Sequence, residues 1–184
     1  MLQVGLVYQQ RGQVISISRN NSKVPRSDGP DACVKQRVVG DGPLRNTLET
    51  SYNSNNIIWW GYEADQQRRA ALLQAAEVFL LPSLVEGLSL ALLEAMASGC
   101  ACVATDAGAD GEVLAGGAGI VISTQGVTTQ LRTLLPVLRD QRLLTAELGR
   151  QARRRVMERY TLSANIDSIE RLYRELNSPL PLVA

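Results

Sequence analysis

Residues 79–106, FLLPSLVEGLSLALLEAMASGCACVATD, restrict the fold more than any other stretch of the 184-residue chain. Glu77-Val-Phe-Leu-Leu is apolar without alternation after its first residue and is closed by Pro82. Such a run predicts a strand covered on both faces. The loop Ser83-Leu-Val-Glu-Gly leads into a helix over residues 88–98. Gly99 stands where a helix ends in a left-handed residue, and residues 100–104 form a second apolar strand. Two strands joined through a helix run parallel, so the stretch is a βαβ unit.

The helix is apolar nearly all round, through Leu88, Leu90, Ala91, Leu92, Leu93, Ala95, Met96 and Ala97. That composition predicts an interior helix. Glu94 is then out of place, because its neighbours at helical spacing are Leu90, Ala91, Ala97 and Ser98. A buried carboxylate needs a partner, and the small neighbours leave a recess for one. Glu94 therefore reads as a ligand-binding group, with a solvated glutamate on an exposed face as the other reading. Glu86 has two readings. It is either a charge complementing the helix N-terminus, worth about 0.3–1 kcal/mol, or a ligand contact. The amides of Gly87, Leu88 and Ser89 are expected to leave the helix end free for an anion. Carboxylates flanking an anion site suit a ligand that carries hydroxyls and phosphate, such as a nucleotide-sugar.

Glu86-Gly-Leu-Ser-Leu-Ala-Leu-Leu-Glu94 resembles the E-x7-E signature of group 1 retaining glycosyltransferases with the GT-B fold. Leu81-Pro82-Ser83, Glu94-Ala-Met-Ala-Ser-Gly99 and Val103-Ala-Thr-Asp-Ala-Gly108 resemble the same family. So do Val39-Gly-Asp-Gly-Pro-Leu44, Gly111-Glu-Val-Leu114 and Glu158-Arg-Tyr-Thr161, and the likeness covers residues 30–176. It implies an α/β fold, a Rossmann-like parallel sheet flanked by helices, equivalent to the C-terminal half of a GT-B enzyme. It also implies transfer of a sugar from a nucleotide-sugar to an acceptor with retention. By resemblance, Glu86 touches the transferred sugar and is the catalytic residue. Gly87, Leu88 and Ser89 hold sugar and diphosphate, and Glu94 holds the ribose. Gly61 and Tyr62 lie against the base. Arg19 and Lys23 are candidates for gripping the diphosphate, with an ordinary basic loop as the other reading.

Composition is consistent with this. Nineteen basic residues against eighteen acidic ones leave a net charge of +1, which gives no sign of a nucleic-acid partner. There is no histidine. No Cys/Asp/Glu group has metal-ligand spacing, and the resemblance implies no metal and no cofactor. Cys100 and Cys102 read as buried apolar side chains, and the odd count with Cys33 suggests a reducing compartment. With no signal peptide or membrane-length apolar run, the expected location is cytoplasmic.

Further elements follow in order. Strands are expected at 35–39, 56–60 and 119–122, with helices at 44–52, 64–75, 128–138, 142–160 and 163–176. Trp59 and Trp60 read as packing a strand face. Residues 14–18 alternate as a half-buried strand does. The helix over 142–160 carries Arg150, Arg153, Arg154, Arg155 and Arg159, either as a solvated face or as a contact with an anionic membrane. We divide the chain into an atypical N-terminal segment (1–31), a donor-binding domain (32–178) and a tail (179–184). The acceptor, whether saccharide, lipid or protein, is expected to bind an N-terminal domain outside this chain. The alternatives are a non-catalytic nucleotide- or partner-binding remnant and a GT-B nucleotide-sugar epimerase. The absence of histidine weighs against the epimerase.

Overall fold

From β2 (Val34–Val39) to α5 (Val127–Asp140) the chain alternates strands and helices, as the βαβ pattern requires. The computed structural model describes residues 14–19, 34–52 and 54–177. In order these form β1 (Val14–Arg19), β2 (Val34–Val39), α1 (Arg45–Ser51), β3 (Ile57–Gly61), α2 (Gln66–Gln74) and β4 (Val78–Leu81). Next come α3 (Leu90–Ala97), β5 (Ala101–Thr105), α4 (Asp110–Leu114), β6 (Ile120–Ile122), α5 (Val127–Asp140), α6 (Arg142–Arg159) and α7 (Leu162–Leu176). The strands make one sheet in the order β3-β2-β1-β4-β5-β6.

The pairs β2–β3, β4–β5 and β5–β6 are parallel, as expected. β1 is the departure, running antiparallel to both β2 and β4. The sequence carries a reason. Ile15-Ser-Ile-Ser alternates, a pattern suited to antiparallel strands, whereas unbroken apolar runs suit parallel ones. Since β1 is reversed relative to both neighbours, β2 and β4 still point the same way. The carboxyl ends of β2 to β6 therefore emerge at one edge of the sheet.

β4 and β5 are buried along their whole length. Phe79, Leu81, Cys102 and Ala104 face a core with Leu92, Ala95 and Met96 of α3 and Ala152 and Val156 of α6. Val78, Leu80, Ala101 and Val103 face a second core with Val127, Leu131, Leu135 and Leu138 of α5. Cys100 and Cys102 are buried as expected, and burial pushes the Cys100 thiol up to about 12. Such thiols are inert.

α3 is shorter than the 88–98 reading, because Ser89 caps it instead of joining it. The Ser89 hydroxyl accepts from the Leu92 N–H at 3.3 Å. A serine just ahead of an apolar helical run is a legible N-cap signal that the reading passed over. The other end matches expectation: Gly99 has φ +82°, its N–H bonds the Met96 carbonyl, and that of Cys100 bonds Ala95. This paired closure turns the chain directly from α3 into β5.

α6 covers that turn. Arg153 donates to the Ala97 carbonyl at 2.7 Å, and Arg155 donates to the Val113 and Glu112 carbonyls at 2.7 and 2.9 Å. Two of the five arginines thus bind helix C-termini, where cations are favoured. Arg150 pairs with Glu147 on α6 itself. The close approach of α6 depends on Gly149, where a Cβ would collide with the Gly99 carbonyl. Gly149→Ala is therefore expected to destabilise the fold by about 1–3 kcal/mol through overpacking. Urea denaturation measures this, and an unchanged midpoint would remove α6 packing as the reason for that glycine.

Candidate functional site

The carboxyl ends of β2 and β3 frame a cleft of about 180 Å³ beside α2 and α3, with Phe79 of β4 also lining it. Its walls are Val39, Gly40, Leu72, Leu73, Phe79 and Ala91, with Tyr62, Glu63, Arg69 and Glu94 as the polar or amphipathic members. The edge of an α/β sheet where strands end and loops diverge is where such folds bind ligands. Tyr62 is exposed, one residue after buried Gly61. Gly61 has φ +86° and a Cβ there would meet the Arg45 guanidinium, so the turn that delivers Tyr62 needs glycine.

The cleft brings Glu94 and Tyr62 together, but the argument for Glu94 needs correction. Its side chain is 45% exposed, with Arg69 Nη2 4.0 Å from Oε1. Burial alone therefore does not force a ligand on it. The all-apolar helix also has an open face, where Leu90 is 72% exposed. Trp60 is likewise exposed, its indole N–H donating to Glu63 at 3.2 Å, while Trp59 is half-buried.

Glu86 is half-buried and does not line the cleft. It sits in the loop between β4 and α3, which is laced to the loop between β5 and α4. Ala109 N–H donates to the Gly87 carbonyl at 2.7 Å, and the Thr105 hydroxyl donates to the Ser83 carbonyl. At Gly108 (φ +59°) a Cβ would collide with the Glu86 and Gly87 carbonyls, so only glycine lets the loops touch.

The third tie is Asp110, which the sequence reading missed. It is 1% exposed, and its Oδ1 accepts from the Ser89 N–H at 3.2 Å. This corrects the expectation of three free amides. The Ser89 N–H is spoken for, and of the three only the Gly87 and Leu88 N–H groups donate no hydrogen bond among the described residues. Asp110 Oδ2 is buried without a partner. Burial pushes its carboxyl above the ordinary value, the Glu86 charge adds to this, and the Ser89 N–H opposes it. The available signal was an acid in the first turn of a short helix, which the reading noticed only at Glu112.

Of the diphosphate candidates, Arg19 is not brought here. β1 sets Arg19 opposite Val34, at the start of β2, so its backbone lies at the opposite edge of the sheet from the cleft. The reversal of β1 is the cause. Lys23 lies outside the described residues. Among the described residues no acidic or cysteine cluster could hold a metal ion, and no helix is long and apolar enough to cross a membrane.

Comparison with known proteins decides the family. The sequence profile described as glycosyl transferases group 1 matches residues 4–140. The chain belongs to the group 1 glycosyltransferases. It is 26% identical over 145 residues to an Escherichia coli UDP-Gal:alpha-D-GlcNAc-diphosphoundecaprenol alpha-1,3-galactosyltransferase, covering 76% of this chain and 36% of that enzyme. It is 29% identical over 181 residues to a Rhizobium leguminosarum bv. viciae lipopolysaccharide core biosynthesis mannosyltransferase, covering 94% of this chain and 49% of the relative. The crystal structure of the C-terminal domain of a group 1 family glycosyl transferase from Francisella tularensis superimposes with a TM-score of 0.56 at 27% identity, over 65% of this chain and 61% of that one. Solved structures of GT-B glycosyltransferases share the α/β architecture. This group 1 chain therefore spans between about a third and a half of the length of these curated relatives.

Asp110 generates a two-part expectation. Asp110→Ala leaves the buried Ser89 N–H without an acceptor and costs about 1–3 kcal/mol. Asp110→Asn keeps an acceptor and removes the buried charge, so at pH 7 it is as stable as the wild type or more so. A folded-state pKa raised above 3.8 makes the wild type lose stability as pH rises from that value through the folded one. The Asn variant escapes that loss, so its advantage shrinks as pH falls towards 4. Urea titrations of the three proteins at pH 7 and pH 4 test this. An Asn advantage that grows on acidification contradicts it.

Proposed function

We propose that this chain is the donor-binding part of a retaining glycosyltransferase, which transfers a sugar from a nucleotide-sugar to an acceptor held largely by another domain. The observation that carries the reading is the cleft at the carboxyl ends of β2 and β3, which unites Tyr62 and Glu94 beside apolar walls. A base fits the apolar walls with Tyr62 and Gly61 at its edge, and the ribose hydroxyls meet Glu94. The diphosphate and sugar then lie towards the start of α3, where the Gly87 and Leu88 amides are unpaired and Glu86 reaches the sugar hydroxyls.

The chemistry asked of this half is electrostatic. As the sugar leaves, charge accumulates on the diphosphate, and preoriented amides stabilise that charge without having to reorganise. The loop ties described above supply the preorientation. Glu86 is the catalytic residue in this reading, through its contact with the transferred sugar. No metal or cofactor is assigned a role. The acceptor needs a facing wall, and Val85, Leu88 and Leu90 around Glu86 are exposed apolar side chains suited to being covered. A cytoplasmic location accords with nucleotide-sugar use and is part of the proposal.

One observation favours a second reading, binding without turnover. The backbone of Arg19 lies at the far edge of the sheet, which supports a site without a basic grip from β1.

Calorimetry with UDP, GDP and ADP is expected to show one preferred nucleotide at micromolar to millimolar affinity, about −4 to −8 kcal/mol. Glu94→Gln should weaken it with little change in stability, the side chain being half exposed. Glu86→Gln should matter little for the bare nucleotide and more for the nucleotide-sugar. No heat with any nucleotide at millimolar concentration sinks the proposal. This chain alone is expected to transfer no sugar, because orienting donor against acceptor supplies much of the rate. Acceptor-dependent release of nucleoside diphosphate by the isolated chain would refute the division of labour. Binding that never becomes turnover when a relative's N-terminal half is joined to it favours the second reading.

A further inference from the structure

Arg69 shares the cleft with Glu94 and belongs to none of the motifs singled out in the sequence. Its Nη1 donates to the Ala64 carbonyl at 2.9 Å and to that of Glu63 at 3.3 Å. These bonds fix the guanidinium to the loop that carries Tyr62. Nη2 then faces Glu94 Oε1 at 4.0 Å, close enough for attraction and too far for a hydrogen bond. A strong donor and a strong acceptor thus stand opposite each other without meeting.

The gap has the chemistry of a hydroxyl. With hydrogen bonds of about 2.8 Å on either side, one oxygen fits between the two groups. A hydroxyl oxygen accepts from Nη2 while its hydrogen goes to the carboxylate. A phosphate oxygen is repelled by Glu94 and an ammonium by Arg69, so neither charged group satisfies both partners. Leu72, Phe79 and Ala91 beside the pair thin the surrounding water and strengthen both bonds.

We propose that Arg69 is a ligand-binding residue that, together with Glu94, selects a ribonucleotide over its deoxy counterpart by sharing one ribose hydroxyl. This rests on the nucleotide reading above and deepens it. Glu94 alone can only accept from a diol, whereas the pair donates and accepts at the same oxygen. A deoxy sugar leaves the two charged groups facing each other unbridged.

The test is calorimetry on the full chain with UDP and GDP and with their 2′-deoxy and 3′-deoxy analogues. The wild type, Arg69→Met, Glu94→Gln and the double variant are compared. The wild type is expected to bind a ribonucleotide roughly tenfold or more tightly than one of its deoxy analogues, the scale of one charge-assisted hydrogen bond. Arg69→Met should abolish most of that ratio by weakening the ribonucleotide and sparing the deoxy form. In the double variant the losses should fall short of additive, because both residues act on one hydroxyl. Arg69 also anchors the loop after β3, so damage to that loop would weaken ribo and deoxy forms equally, and that result overturns the proposal. Additive losses overturn it as well. Nucleotide binding by the wild type with no ribo preference overturns it while leaving the donor-binding reading intact. No binding of any nucleotide by the wild type overturns both.

Discussion

Every side chain of β4 and β5 is buried, alternately against α3 with α6 and against α5. This two-sided burial is the constraint from which the rest of the arrangement follows. Strands with no solvent-facing side cannot shift register without forcing apolar groups out of a packed layer. Their ends are therefore fixed points, and the loops that leave them start from fixed positions. The paired closure at Gly99 and the contact of Gly149 with its carbonyl extend the same rigidity to α3 and α6.

The site uses that rigidity in two ways. On the cleft side, α2 and α3 stand far enough apart to leave a volume between them, with Arg69 and Glu94 reaching across it. On the loop side, Asp110, Thr105 and Gly108 hold the segment around Glu86 against the following loop. The cost is visible in Asp110, whose second carboxylate oxygen is buried without a partner. An unsatisfied buried group persists where the surrounding structure over-determines it, and such groups concentrate near functional sites.

Much of this was legible from residue order. The unbroken apolar runs named β4 and β5, the glycine at 99 placed the turn between α3 and β5, and the E-x7-E spacing set one carboxylate in the loop before α3 and the other within the helix. Other conclusions failed for identifiable reasons. Counting apolar residues around α3 put Glu94 inside, yet its side of the helix faces a cleft and not a packed layer. Leu88 and Leu90, counted as core in the sequence, are exposed. The three free amides became two because Asp110, twenty-one residues further on, had claimed Ser89.

By itself the sequence determined which segments are strands and helices, where they turn, and which family they belong to, because burial periodicity and turn chemistry are local properties. Tertiary structure decided the direction of β1, the exposure of Glu94, the tie between Ser89 and Asp110, and the meeting of Arg69 with Glu94. Each of these depends on how elements far apart in sequence are set against one another. Local spacing carries no record of that, since a side chain's partner across a loop is chosen by the packing of the layers beneath it.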